Sequence, residues 1–143
     1  MLLVLALLSC VSCGLRNQGS DSLPSEVEAT ITTVTDDLAW ERYEKIYNES
    51  SNLWKRDTTL EQSNEVFKKL RTQLGKVENR TLHTATEQRN SGGPLQGHVF
   101  IISYQTKFES GEGMETFTLV EEDNRWALAR YLVNSALPMN VSS

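Results

Sequence analysis

Two histidines, a pair of adjacent aspartates and a glycine-rich turn are the residues of this sequence with most chemistry to offer. His98 alternates with Phe100, Ile102 and Tyr104, so a strand here puts the imidazole on the same face as two aromatic rings. An imidazole or carboxylate desolvated in that way can hold a pKa near the working pH and act as a general base. The plainer role, a strand-end histidine near the surface, is favoured. His83 sits in a polar stretch, and two histidines without carboxylates at ligand spacing do not make a metal site. Asp36 and Asp37 are sequence neighbours, which do not face each other on a helix, so a helix cap is expected of them. Ser91-Gly92-Gly93-Pro94 lacks the Lys and following helix of a phosphate loop and reads as a turn. Cys10 and Cys13 both fall in the first thirteen residues. The rest of the chain therefore has no disulfide, thiolate metal site or thiol nucleophile. No catalytic residue, metal or cofactor is assigned.

Aromatic residues offer a second kind of site. Trp40, Tyr43, Trp54, His98, Phe100, Tyr104 and Trp126 are the candidate lining of a pocket for a small apolar ligand. The same side chains would equally fill a core between helices and sheet, and that role carries more weight.

The elements that must position these residues follow from periodicity. His98 to Val133 reads as three strands joined by short reversals, which favours an antiparallel meander. Ser110-Gly111-Glu112-Gly113 supplies the first reversal and Glu121 to Asn124 the second. In the middle strand Phe117 and Leu119 share a face; in the last, Trp126, Leu128 and Leu132 oppose Ala127, Ala129, Tyr131 and Val133. Val77 to Arg89 forms a polar edge strand before them. Upstream, Ser25 is the expected cap of a helix carrying Val27, Ile31 and Val34, and Leu38 to about Ser50 forms a second. Leu53 and Trp54 close that segment. A third helix opens on a capping box of Thr58 and Glu61, buries Val66, Phe67, Leu70 and Leu74, and stops at Gly75. The expected fold is α+β: three N-terminal helices packed on a curved four-stranded antiparallel sheet.

A net charge of −5 argues against nucleic acid, whose phosphates need clustered Lys and Arg. Residues 1–10 read as an export signal: an apolar run too short to span a bilayer, ending in Leu7-Leu8-Ser9-Cys10. That ending resembles the bacterial lipobox, which makes Cys10 the lipidation site, although no Lys or Arg precedes the run. Residues 11–25 form a polar flexible tether, 26–135 the folded domain and 136–143 a C-terminal tail.

Three segments together resemble a known family. They are Leu38-Ala-Trp-Glu-Arg-Tyr-Glu-Lys-Ile-Tyr47 with Leu53-Trp54; Val66-Phe67 through Leu74-Gly75 to Arg80-Thr-Leu82; and Phe117 through Arg125-Trp126 to Tyr131. Their order and spacing resemble the bacterial envelope family called domain of unknown function 4019, which is similar to the nuclear-transport-factor-2-like, cystatin-like roll. The resemblance implies a sheet wrapped on helices around a cone-shaped cavity, and implies no activity, because that fold hosts many functions. The expectation is a lipid-anchored cell-envelope protein on the periplasmic side, with a non-enzymatic domain that binds a small apolar ligand or an envelope protein. The alternatives are an enzyme using the cone, with His98 or Asp37 as base, and a homodimeric scaffold joined through the outer sheet face at Ile101 or Phe117.

Overall fold

Val27, Ile31 and Val34 recur at helical spacing, and this apolar stripe draws the first helix onto the sheet. The computed structural model describes residues 22–136. The export-signal segment, Cys10, most of the tether and nearly all of the tail lie outside them. In chain order the elements are α1 (Ser25–Ala39), α2 (Tyr43–Glu49), α3 (Asn52–Asp57), α4 (Leu60–Leu74), β1 (Val77–Asn90), β2 (Gly97–Phe108), β3 (Gly111–Glu122) and β4 (Arg125–Ser135). The strands form one antiparallel sheet in the order β1-β2-β3-β4. The main core gathers Val27, Ile31, Tyr43, Ile46, Trp54 and Phe67 from the helices with Phe100, Ile102, Phe117, Leu119 and Leu128 from one sheet face. The α+β class and the four-stranded sheet are as expected.

The described residues hold four helices where three were expected. The segment from Leu38 to Ser50 is not one helix: α1 runs on to Ala39, and Glu41 takes a positive φ of 56° that no continuing helix permits. Trp54 lies in its own short helix, capped by the Ser51 hydroxyl, which accepts from the Trp54 N–H at 3.2 Å. The capping box of α4 uses Thr59 and Gln62, one residue later than expected, because Thr58 is extended and ends α3. Pro24, not Ser25, precedes α1 as its cap residue. The threonines of α1 are accommodated because Thr30 and Thr33 each donate to the carbonyl four residues back, at 3.0 Å.

Two corrections concern the sheet. The β2–β3 reversal is tighter than expected: Phe108 pairs with Gly111, so only Glu109 and Ser110 turn, and β3 begins at Gly111 rather than near Met114. In β4 a bulge opposite Thr118/Leu119 inserts one residue between Leu128 and Arg130. A single inserted residue exchanges the faces beyond it. Tyr131 therefore joins the core side beside Phe117, at 4.9 Å between ring centroids, while Leu132 is 63% exposed. Phe117 is wholly buried toward the helices, so it is no part of an outer-face contact. The β3–β4 turn follows the expected chemistry, with Asp123 and Asn124 both at positive φ as a two-residue hairpin loop requires.

Candidate functional site

A groove of about 840 Å³ opens between the C-terminal ends of α1 and α4 and the sheet. Its helical walls carry Leu38 and Trp40 from the end of α1, Tyr43 from α2, and Phe67, Leu70, Arg71 and Leu74 from α4. Arg80 from β1, Phe108, Glu115 and Tyr131 line it from the sheet.

The sheet side is built around a carboxylate. Glu115 alternates with Phe117 and Leu119 along β3, so it shares their inward face and is completely buried. Arg80 donates to it twice, from Nε to Oε2 at 2.6 Å and from Nη2 to Oε1 at 3.1 Å. The Thr106 hydroxyl donates to Oε2 at 2.6 Å and the Tyr131 hydroxyl to Oε1 at 2.6 Å. Four donors occupy the roughly four lone-pair positions of a carboxylate. Such compensation is what a buried charge needs, and the forked Arg contact is the strongest form of it. Burial, then the neighbouring Glu115 charge, pushes the Tyr131 phenol well above its ordinary value, so it stays a donor.

A second carboxylate, behind the groove, ties the turn that follows α1. Asp37 lies inside α1, almost fully buried, and accepts from Arg42 Nε and Lys45 Nζ at 2.7 Å each. Its own carbonyl accepts from the Arg42 N–H at 2.8 Å. Burial alone would raise this carboxyl, but the bonds from Lys45 and Arg42 outweigh it and hold it below the usual carboxylate range. Held from both backbone and side chain, the chain turns sharply after α1. Glu41 absorbs the turn in the left-handed region and Trp40 is left 73% exposed at the groove. Asp37 thus caps nothing and ties a loop.

The family described as "Protein of unknown function (DUF4019)" matches residues 29–131. The chain belongs to the DUF4019 family. No curated protein matches it.

Of the aromatic residues expected to line a pocket, this DUF4019 domain brings Trp40 and Tyr43 to the groove. Trp54, Phe100 and Tyr104 pack in or against the core instead. Trp54 stacks on Phe67 at 5.8 Å and donates from its indole to Ser63 at 3.2 Å. Phe100 meets Trp126 edge-on at 5.3 Å, and Tyr104 meets Phe117 at 5.9 Å. Trp126 borders a separate hollow of about 180 Å³ with Asp37. His98 does share the inner face with Phe100, as its alternation requires, but it is pinned away from the groove. Its Nε2 meets Glu87 at 2.5 Å and its Nδ1 meets Glu121 at 2.7 Å, with the ring edge-on to Trp126 at 4.7 Å. Neither His98 nor Asp37, the candidate bases, lines the groove. Among the described residues no group of three or more His, Cys, Asp or Glu is placed to hold a metal, and no helix is long and apolar enough to cross a membrane.

Sequence reasoning missed Glu115, Arg80 and Arg71. A signal for the first was present: a glutamate in step with Phe117 and Leu119 is a charge on a core face, which demands a partner. Reading that face from Phe117 and Leu119 alone leaves Glu115 out, although it lies two residues before Phe117 in the same strand.

Proposed function

We propose that this DUF4019 domain is a non-enzymatic binding module that takes a small ligand with an apolar body into the groove. The helices and sheet form a cystatin-like roll with the groove as its cone, and the domain stands at the bacterial cell envelope on a lipid carried by Cys10. The observation that carries the binding reading is Trp40, a large apolar side chain held exposed at the groove by a backbone turn and the buried Asp37 tie. Exposed tryptophan beside a cavity is unfavourable to folding and favourable to a ligand that covers it. The state of Glu115 supports binding over catalysis. A carboxylate already accepting four bonds has no free position for a substrate proton, so its role is to shape the floor.

Native mass spectrometry of the purified chain tests this. A mass above the sequence value, lost on denaturation and lost again in Trp40→Ala, is the expected result. A bare monomer in both proteins, with indole fluorescence unmoved by apolar probes, would sink the reading.

A further inference from the structure

The charges lining the groove do not cancel evenly, and the imbalance points to a ligand class. Four acids and three bases line it. Glu115 is consumed by Arg80, and Glu78 pairs with Lys107 outside the groove at 3.0 Å. Asp36 is exposed on the α1 side, where water screens it, and Glu41, also exposed, accepts from the Tyr43 hydroxyl at 3.4 Å. Lys76 is exposed as well. Arg71 differs from all of these. It is half-buried in the last turn of α4, and its guanidinium makes no ion pair or hydrogen bond with another described residue. Burial and then the Glu41 charge raise the neighbouring Tyr43 phenol while the Arg71 charge opposes them, and the Tyr43 ring stacks on Phe67 at 5.5 Å. Arg80 also keeps Nη1 without a partner among the described residues, while its side chain is 19% exposed at the same groove. A guanidinium partly removed from water beside aromatic rings, with its donors unused, suits a planar or phosphate anion on an apolar body.

We propose that the ligand is a small organic anion: one carboxylate or phosphate held by Arg71, with an aromatic or aliphatic body lying over Tyr43, Leu70 and Trp40. This rests on the groove-binding reading above and adds the charge of the ligand to it. Arg71 has a second duty, since a cation in the last turn complements the helix dipole, and the test must separate the two.

The full chain is titrated with 2-naphthoate, 2-naphthyl phosphate and the neutral 2-naphthalenemethanol, following tryptophan fluorescence and calorimetric heat. Both anions are expected to bind about tenfold tighter than the alcohol, as one charge-assisted hydrogen-bonded contact allows. Whichever anion binds tighter indicates a carboxylate or a phosphate source, and either preference supports the proposal. Arg71→Gln should bring both anions down to the affinity of the alcohol while leaving the alcohol unchanged, and Arg71→Lys should restore part of the difference. Equal affinity for all three compounds would overturn the proposal while leaving the groove reading intact. So would an anion preference that survives Arg71→Gln, with only a small fall in Tm to show for the substitution. Failure of all three to bind would remove the groove reading itself.

Discussion

Glu115 and Asp37 are both buried carboxylates met by an arginine, yet they do different work because their partners come from different distances along the chain. Asp37 is answered by Arg42 and Lys45, five and eight residues on, and both partners are roughly half exposed. Glu115 is answered from 35 residues away by Arg80, and by Thr106 and Tyr131 from the strands on either side. The first is a local tie that bends one loop and sets one side chain at the mouth. The second joins three other points of the sheet to one atom pair, so it cannot loosen without disturbing β1, β2 and β4 together. Burial alone therefore does not rank two carboxylates; the sequence span and the solvation of their partners do.

The largest expected effect breaks the sheet network. Arg80→Ala leaves Glu115 buried without its counter-charge and should cost about 3–5 kcal/mol of unfolding free energy. Urea denaturation of Arg80→Ala beside the double substitution Arg80→Ala/Glu115→Gln checks the cause. The neutral amide should recover a good part of the loss, and no recovery would mean that Arg80 acts through packing rather than charge.

The tie at the mouth should be weaker and should respond to pH. Asp37 has a folded-state pKa held below its unfolded value, so the unfolded chain binds its proton first as pH falls. Its stabilisation is full above about pH 4, the ordinary carboxylate range, and is lost as pH drops through the lower folded value. Asp37→Asn should cost about 1–2 kcal/mol at neutral pH, less than a fully desolvated pair because Arg42 and Lys45 keep much of their water. The gap in Tm between the original chain and Asp37→Asn should narrow on acidification from pH 5 to pH 2. A gap that stays constant across that range would show that the amide fails for geometric reasons and that the charge is incidental.

How much of this was legible beforehand divides along the same line. Local patterns carried well: the apolar stripe of α1, the glycine stop after Leu74, the alternation that put His98 on the inner face, and the Asp123-Asn124 hairpin all rest on neighbouring residues. What failed depended on a partner far off, on one inserted residue, or on a tight turn that local patterns do not announce. Strict alternation puts Tyr131 on the wrong face because it has no way to show a bulge, which appears only once β3 is laid beside β4. Asp37 reads as a cap in sequence because its partners Arg42 and Lys45 reach back across a turn whose positive φ at Glu41 no residue preference announces. In sequence the aromatic residues form one set, although Trp54, Phe100 and Tyr104 pack with the core and, of that set, Trp40 and Tyr43 reach the groove. Composition could name the aromatics; it could not say which of them the α1–α2 turn would leave outside.

Trp40 gives the smallest expected effect on stability and the sharpest one on function, which is why it separates the two regions best. A side chain 73% exposed makes few contacts to lose, so Trp40→Ala should change unfolding free energy by no more than about 0.5 kcal/mol. Asp37→Asn should also weaken binding of apolar probes, because it frees the turn that holds the indole, and it should do so with a measurable stability cost. Trp40→Ala should weaken the same binding with almost none. Paired titration and denaturation curves for the two variants read both quantities in one preparation. If Trp40→Ala destabilised the fold as much as Asp37→Asn, the indole would be a packing residue of the α1 end, and the tie would exist to close that end rather than to present a binding surface.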